Sequence, residues 1–372
     1  MSERKVKRLL DTPPLDEEAE ERVWETVRAA FAEREPLERP PQRFRLVLAL
    51  SALAAAVAAA AFSPPGRAVV NAVRRTIGIE HAQPALFSLP APGRLLVAGG
   101  SGAWVVAADG SKRRLGDYPQ ASWSPHGLYV VAAAPNELAA ITPAGAVHWT
   151  LARPQIRFPR WGGTRSDTRI AYLTTSRLHV LAGDGTGDTD AGGLPAAARV
   201  APAWQPTTAD RHVLAYVTTR GRVIVVDTDR GSVRWISAGY AGAHALAWSH
   251  DGTQLALAAK TKVVLFDART GRATTIRVEG VRALAFSTDG RLALLRHRVL
   301  LLRVGGRLLT LFAPPGAIAG LAWSPNGRWL LTELPAADEW VFLQTRGGHR
   351  ILAVSHITAQ FGAFPSLSGW AS

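Results

Sequence analysis

Side chains capable of chemistry are numerous in this chain but poorly gathered. The ten histidines stand at His81, His126, His148, His179, His212, His244, His250, His297, His349 and His356. None forms an H-E-x-x-H or H-x-H pair, so their spacing offers no zinc site. His126 and His250 each follow a serine, Ser124 and Ser249, by a residue or two inside the same kind of turn, which reads as turn structure. "GDGTGDTDAGG" at 183–193 gathers Asp184, Asp188 and Asp190 on a glycine-rich backbone, a composition that suits calcium. It lacks the terminal glutamate of an EF-hand loop, so a solvated turn is the expectation. There is no cysteine, which excludes disulfides, thiolate metal sites and thiol nucleophiles. No G-x-S-x-G, P-loop or G-x-G-x-x-G is placed between a strand and a helix, and "GGSG" at 99–102 reads as a hairpin turn. The expectation is therefore no catalytic, cofactor-binding or metal-binding residue, and a protein that is not an enzyme.

Positioning elements come next. The 372 residues carry a net charge of +14, unevenly distributed. Residues 1–43 hold 9 Lys and Arg against 11 Asp and Glu, whereas residues 91–372 hold 30 against 17. The basic character belongs to the C-terminal part, where it permits anionic partners such as nucleic acid, lipid headgroups or cell-wall polymers. An Arg-rich solvated surface would give the same count.

Residues 1–43 form a charged tail. "LDEEAEERVWETVRAAFAER" spaces Ala19, Val23, Val27, Ala30 and Phe31 for one amphipathic helix over about 15–35, acidic at its start and ended by "EPLERPPQ". Residues 44–62 follow, with no charge from Leu46 to Phe62. At about 1.5 Å per residue this run approaches the thickness of a hydrocarbon core. A buried soluble helix and a cleaved signal peptide are alternatives, but the preceding tail is long for a signal peptide. The expectation is an uncleaved signal anchor in the cytoplasmic membrane, N-terminus inside. The basic residues on either side favour that orientation only slightly. Residues 63–90 are a connector, in which "GRAVVNAVRRTIGI" reads as a surface helix or a plain stalk.

From there a phrase repeats: "ASWSPHG", "LAWSHDG", "LAFSTDG", "LAWSPNG". Aligned on Trp123, Trp161, Trp204, Trp248, Phe286 and Trp323, the copies are spaced by 38, 43, 44, 38 and 37 residues. A period near 40 signals repeat architecture. Each unit has an aromatic strand, a Ser-x-Asp/Asn-Gly-type turn, two short apolar runs such as "QLALAAK" and "KVVLFDA", and a last strand after a Gly-containing turn. Four short strands separated by turns make one antiparallel blade. Asp227 and Asp267 end third strands and are expected to cap the turns that follow.

The unit W-S-x-D/N-G-x-x-L-A … V-x-x-x-D-x-x-x-G resembles the repeat of TolB-like and WD-repeat-like β-propellers over roughly 93–372. Two units depart from it, at "RWGGTRSD" and at the shortened "RVGGR" turn. The absence of a Gly-His…Trp-Asp signature leans to the TolB-like form. The resemblance implies a disc of blades round a channel, used as a binding platform. "GRLLVAGGSGAWVVAADGSKRRLG" at 93–116 carries the second to fourth strands of a unit without a first, and "FPSLSGWAS" ends the chain like a first strand alone. The expected fold is an all-β, seven-bladed propeller over 91–372, in which the strand around Leu367–Trp370 pairs beside Leu95–Ala98 and buries Trp370. The aromatics invite base stacking, but most sit at the repeat's own core position, so nucleic acid is not the expected partner. The expected function is a membrane-anchored binding or scaffold module, outside the cytoplasmic membrane, for a protein or envelope ligand. The layout also fits an anti-sigma-like regulator whose 15–35 helix holds a cytoplasmic protein, or a propeller hydrolase or lyase with an unrecognised site.

Overall fold

In a computed structural model, the described residues are 79–83 and 88–372, apart from Ser176, Gly192, Leu194, Ala197, Ala198 and 207–210. They form seven antiparallel blades, numbered here in chain order. Blade 1 comprises Arg94–Gly99, Gly102–Val106 and Lys112–Gly116, with Ser366–Ala371 as its first strand. Blades 2 to 7 begin at Gln120–Trp123, Ile156–Gly163, Ala203–Trp204, Ala245–Trp248, Ala283–Phe286 and Ala319–Trp323. Each then adds three strands outward in sequence order.

The strand types follow from burial. Second and third strands are covered on both faces by neighbouring blades, so they are continuous apolar runs rather than alternating ones. Val213–Val217 is buried at every position, and Val263–Asp267 is buried until its last residue. Outer strands face water on both sides, as in Ser232–Gly239. The core is thus divided into packets between adjacent blades. One joins Val213, Val225 and Trp248 to Leu257 and Phe266.

Ring closure is as the repeat count requires. Leu95 pairs with Trp370, Val97 with Leu367 and Ala98 with Ser366. Trp370 is 8% exposed, matching Trp123 at 9%, Trp248 at 7% and Trp323 at 8%. The first strand of blade 1 touches the first strands of both blade 7 and blade 2, so the inner ring is continuous. Closure removes the unpaired edges that an open ring would present.

Two features at the blade 7 seam were not expected. Ile357–Phe361 forms a single helical turn, too short to leave a periodic signal. Its Phe361 is buried edge-on to Trp104 at 5.6 Å and against Trp340 at 5.3 Å, filling the seam. Secondly, blade 7 is not four-stranded. Ile79–Gln83, from the stretch read as a connector, pairs in parallel with the outer strand Ile351–Ser355. The helix expected at 15–35, the span at 44–62 and the connector up to 78 lie outside the described residues. Among the described residues no helix is long and apolar enough to cross a membrane.

Candidate functional site

The disc has two faces. One carries the turns between first and second and between third and fourth strands. The other carries the turns between second and third strands and the connections from blade to blade.

On the first face the repeated phrase holds the fold. Ser124, Ser249, Ser287 and Ser324 are buried, and each Oγ accepts the N–H that starts the second strand, at 2.9 Å in every case. Ser249 and Ser287 in turn donate to Asp251 and Asp289, at 2.6 and 2.5 Å, and Ser324 to Asn326 at 2.8 Å. His126 replaces that acid in blade 2, and both it and His250 are exposed turn residues, as their position implied. The turn glycine is required twice over. Gly252 has φ +68°, and a Cβ there would come within 2.5 Å of the Pro206 carbonyl oxygen of the preceding blade. Its own carbonyl accepts from Gln205 Nε2 at 2.6 Å, and Arg94 and Arg291 make the same reach to Gly127 and Gly327.

Asp227 and Asp267 do cap their turns. Asp227 accepts the Arg230 N–H and pairs with Arg234, and Asp267 accepts from the Thr270 amide and hydroxyl at 2.7 Å. The Thr270 and Ser249 hydroxyls hold the carboxyls of Asp267 and Asp251 below their ordinary range. The tryptophans are likewise committed. Trp204, Trp248 and Trp323 donate their indole N–H to the carbonyls of Arg160, Ala203 and Ala285 in the preceding blade. The departure at "RWGG" has the same cause, because a Cβ on Gly162 would overlap the Trp204 ring.

The three aspartates of 183–193 are not one solvated turn. Asp184 caps its own turn through Thr186, and Asp190 pairs with Arg177. Asp188, its side chain 7% exposed, accepts from the Tyr172 hydroxyl at 2.9 Å and pairs with Arg153 of blade 2 at 2.7 Å. Each carboxylate is thus engaged by a different protein group, and among the described residues there is no group of three or more His, Cys, Asp or Glu that could hold a metal ion. His179 stacks on Tyr172, with Nδ1 3.5 Å from Asp188 and Nε2 3.0 Å from Thr174 Oγ1. Hydroxyl, imidazole and carboxylate thus stand in line. However, Asp188 is already engaged by Tyr172 and Arg153, and the Nδ1 distance exceeds a hydrogen bond. The group braces blade 3 where its outer strand shrinks to Thr189–Asp190. No periodicity could have revealed it, because its members come from two strands and two loops.

The opposite face differs in kind over blades 4 to 6. The second-to-third-strand turns present Arg220 and Arg222 in blade 4, Lys260 and Lys262 in blade 5, and Arg296 and Arg298 in blade 6. The connection from blade 5 to blade 6 adds Arg277 and Arg282, with Glu279 as its acid. All but the half-buried Lys262 are exposed. Among the described residues none of these eight cations has a carboxylate within ion-pair reach. They are held by backbone instead. Lys260 N–H donates to Ala241 and Arg282 N–H to Leu295, while His244 puts Nε2 2.6 Å from the Val281 carbonyl. An open cavity of about 560 Å³ lies among them, lined by Thr261, Lys262, Thr275, Arg277, Val278 and Glu279. Sequence counting located the excess charge in this domain but not on this face.

Near the blade 7 end of the same face lie two buried acids, Glu333 and, at the start of the third strand, Glu339, which accepts from Ser355 Oγ at 2.9 Å. Glu333 is 3% exposed and accepts the Leu367 N–H of the ring-closing strand at 2.5 Å. Burial pushes its carboxyl up to about 7. Gly320 makes room for it: φ is +56°, and a Cβ would sit 2.6 Å from Glu333 Cδ.

Comparison with known proteins agrees on the fold alone. No family model matches the chain, and no curated protein matches it. Among solved structures it is similar to the β-propeller domain of Cps50 (Swd1) from Myceliophteria thermophila, with a TM-score of 0.52 and 12% identity, over 64% of this chain and 87% of that one. It is similar as well to a chain of the Mitotic Checkpoint Complex, with a TM-score of 0.52 and 16% identity, over 68% and 89%. The fold is that of a WD-repeat-like β-propeller.

Proposed function

We propose that the propeller is a non-enzymatic binding module whose basic face, over blades 4 to 6, takes an anionic partner. The observation that carries this is a set of eight cations on one face without carboxylate partners among the described residues, two of them, Lys262 and Arg277, lining a cavity. Exposed charge of one sign raises the local concentration of opposite charge and speeds encounter. Adoption of the WD-repeat-like fold by a chain of a checkpoint complex supports a binding role. In this reading the TolB-like form of the repeat sits outside the cytoplasmic membrane, anchored by residues 44–62, and the partner is an acidic protein or an envelope ligand. The uncharged run from Leu46 to Phe62 supports the anchor. Ile79 lies beside Ile351, at the start of an outer strand, so the chain enters at the edge of the Asp-rich turn face.

The test is retention of the full-length, detergent-solubilised protein on immobilised heparin. Arg220, Arg296 and Arg298 changed together to Ala should lower the eluting salt. Arg230, Arg269 and Arg272 changed together to Ala on the turn face should lower it far less. Equal losses would reduce the effect to net charge and defeat the proposal. Protease added to intact cells checks the location. It should digest 91–372 and spare 1–43, and the reverse pattern would overturn the orientation.

A further inference from the structure

We infer that the blade 5 cavity binds the phosphate group of a polyol phosphate ester, a phosphate with a hydroxyl beside it. This inference rests on the basic-face reading and gives it a ligand chemistry. The cavity, about 560 Å³, has room for a group of that size. Its cations are of two kinds. Lys262 is a compact charge whose Nζ lies 5.3 Å from the centre of the Tyr240 ring, which steadies it. Arg277 is a planar fork suited to two oxygens of one phosphate. Among the described residues the hydroxyls of Thr261 and Thr275 make no hydrogen bond to protein, and neither cation has an ion-pair partner. Two cations and two free hydroxyls supply donors for several oxygens of a tetrahedral anion.

The walls are firm. Val278 and Val281 are buried beneath the connection, and the Val281 carbonyl lies 2.6 Å from His244 Nε2. Such anchoring limits the ordering a ligand must impose.

Glu279 sets the finer chemistry. A carboxylate in the lining repels a bare polyanion and accepts from a hydroxyl. The cavity should therefore prefer glycerol phosphate to inorganic phosphate, since an acceptor left without its donor is penalised on binding. That chemistry occurs both in soluble esters and in phosphatidylglycerol headgroups.

Calorimetry on the full chain in a zwitterionic detergent tests this with glycerol 1-phosphate and inorganic phosphate as probes. Glycerol 1-phosphate should bind more tightly. Lys262→Met with Arg277→Met should weaken it about tenfold or more, with little change in melting, because Arg277 is exposed and methionine keeps an apolar stem at the half-buried Lys262. Arg269→Ala, on the turn face, should leave it unchanged. Glu279→Gln should narrow the gap between the two probes. Co-sedimentation with vesicles of phosphatidylglycerol in phosphatidylcholine, against phosphatidylcholine alone, reads the lipid source. Loss of either glycerol phosphate or vesicle binding in the double variant supports the cavity and identifies the source. Binding of both that is indifferent to the double variant, or no binding of either, overturns it. Heparin retention separates the two readings. A chain that holds heparin but neither probe nor vesicle loses the cavity and keeps the basic face, and a chain that holds none loses both.

Discussion

The two faces of this disc use polar residues for opposite ends. On the turn face Ser249, Asp251, Ser287 and Asp289 satisfy backbone N–H groups or one another, and Arg291 answers Asp289 at 2.9 Å. On the other face the side chains of Arg220, Lys260, Arg296 and Arg298 make no ion pair among the described residues. Their positions are set by backbone turns, and their charges are left to solvent or a partner. Removing polar groups from the first face should therefore cost stability, and removing them from the second should cost binding.

The hardest blow to the comparison would come from the ring-closing aromatic. Trp370 ends its strand on the turn face and packs edge-on to Phe342 at 5.8 Å. Trp370→Ala should cost about 3–5 kcal/mol of stability, read by chemical denaturation. The folded fraction should still elute from heparin at the same salt. Unchanged stability would mean that closure does not depend on this residue.

Glu333 sharpens the comparison because, with Glu339, it is a carboxyl near the basic side that is committed to the fold. Its folded value, about 7, lies above the ordinary 4.5, so the folded chain binds more protons between those values. Its stabilising contribution is complete below about pH 4.5 and is lost as pH rises through 7. The swing is of order 3 kcal/mol at most. Denaturation midpoints from pH 4.5 to 8 should fall with that sign, and Glu333→Gln should flatten the slope. An unaltered slope would assign the dependence to other groups.

Smaller still is the turn serine. Ser287→Ala strands the Arg291 N–H and removes the hydrogen bond to Asp289, at about 1–3 kcal/mol. Melting of the variant should drop while heparin elution stays put. Least of all for stability, Arg220, Arg296 and Arg298 changed to Ala should each shift unfolding by about 0.5 kcal/mol or less. Their joint change should nonetheless move heparin elution most among these variants. A melting loss comparable to that of Ser287→Ala would erase the distinction between the faces.

Architecture was legible because the repeat writes local rules many times. Aromatic strand ends, Ser-x-Asp/Asn-Gly turns and short apolar runs each have short-range causes: a cap, a left-handed glycine, a strand buried on both sides. Counting units with a first strand also revealed that blade 1 lacked one, and the terminal "SGWAS" supplied it. The helical turn at Ile357–Phe361 and the added strand at Ile79–Gln83 left no such mark. The first is shorter than any helical period. The second is defined by its partner strand, more than 260 residues away.

Sequence alone therefore determined the blades, their number and the roles of Asp227, Asp267 and Trp370. The residues responsible act on near neighbours or recur at a fixed period. Only the tertiary structure separated Asp184, Asp188 and Asp190 into three different tasks, because Asp188 meets Tyr172 and Arg153 and Asp190 meets Arg177 from elsewhere in the fold, while Asp184 caps its own turn. It also decided where the excess charge goes. Antiparallel strands send alternate turns to opposite faces, so eight cations between Arg220 and Arg298 converge on one side of the disc, while Arg230, Arg269, Arg272 and Arg291 lie on the other. Charge counts have no direction, and that direction exists only once the blades are folded and arranged round their axis.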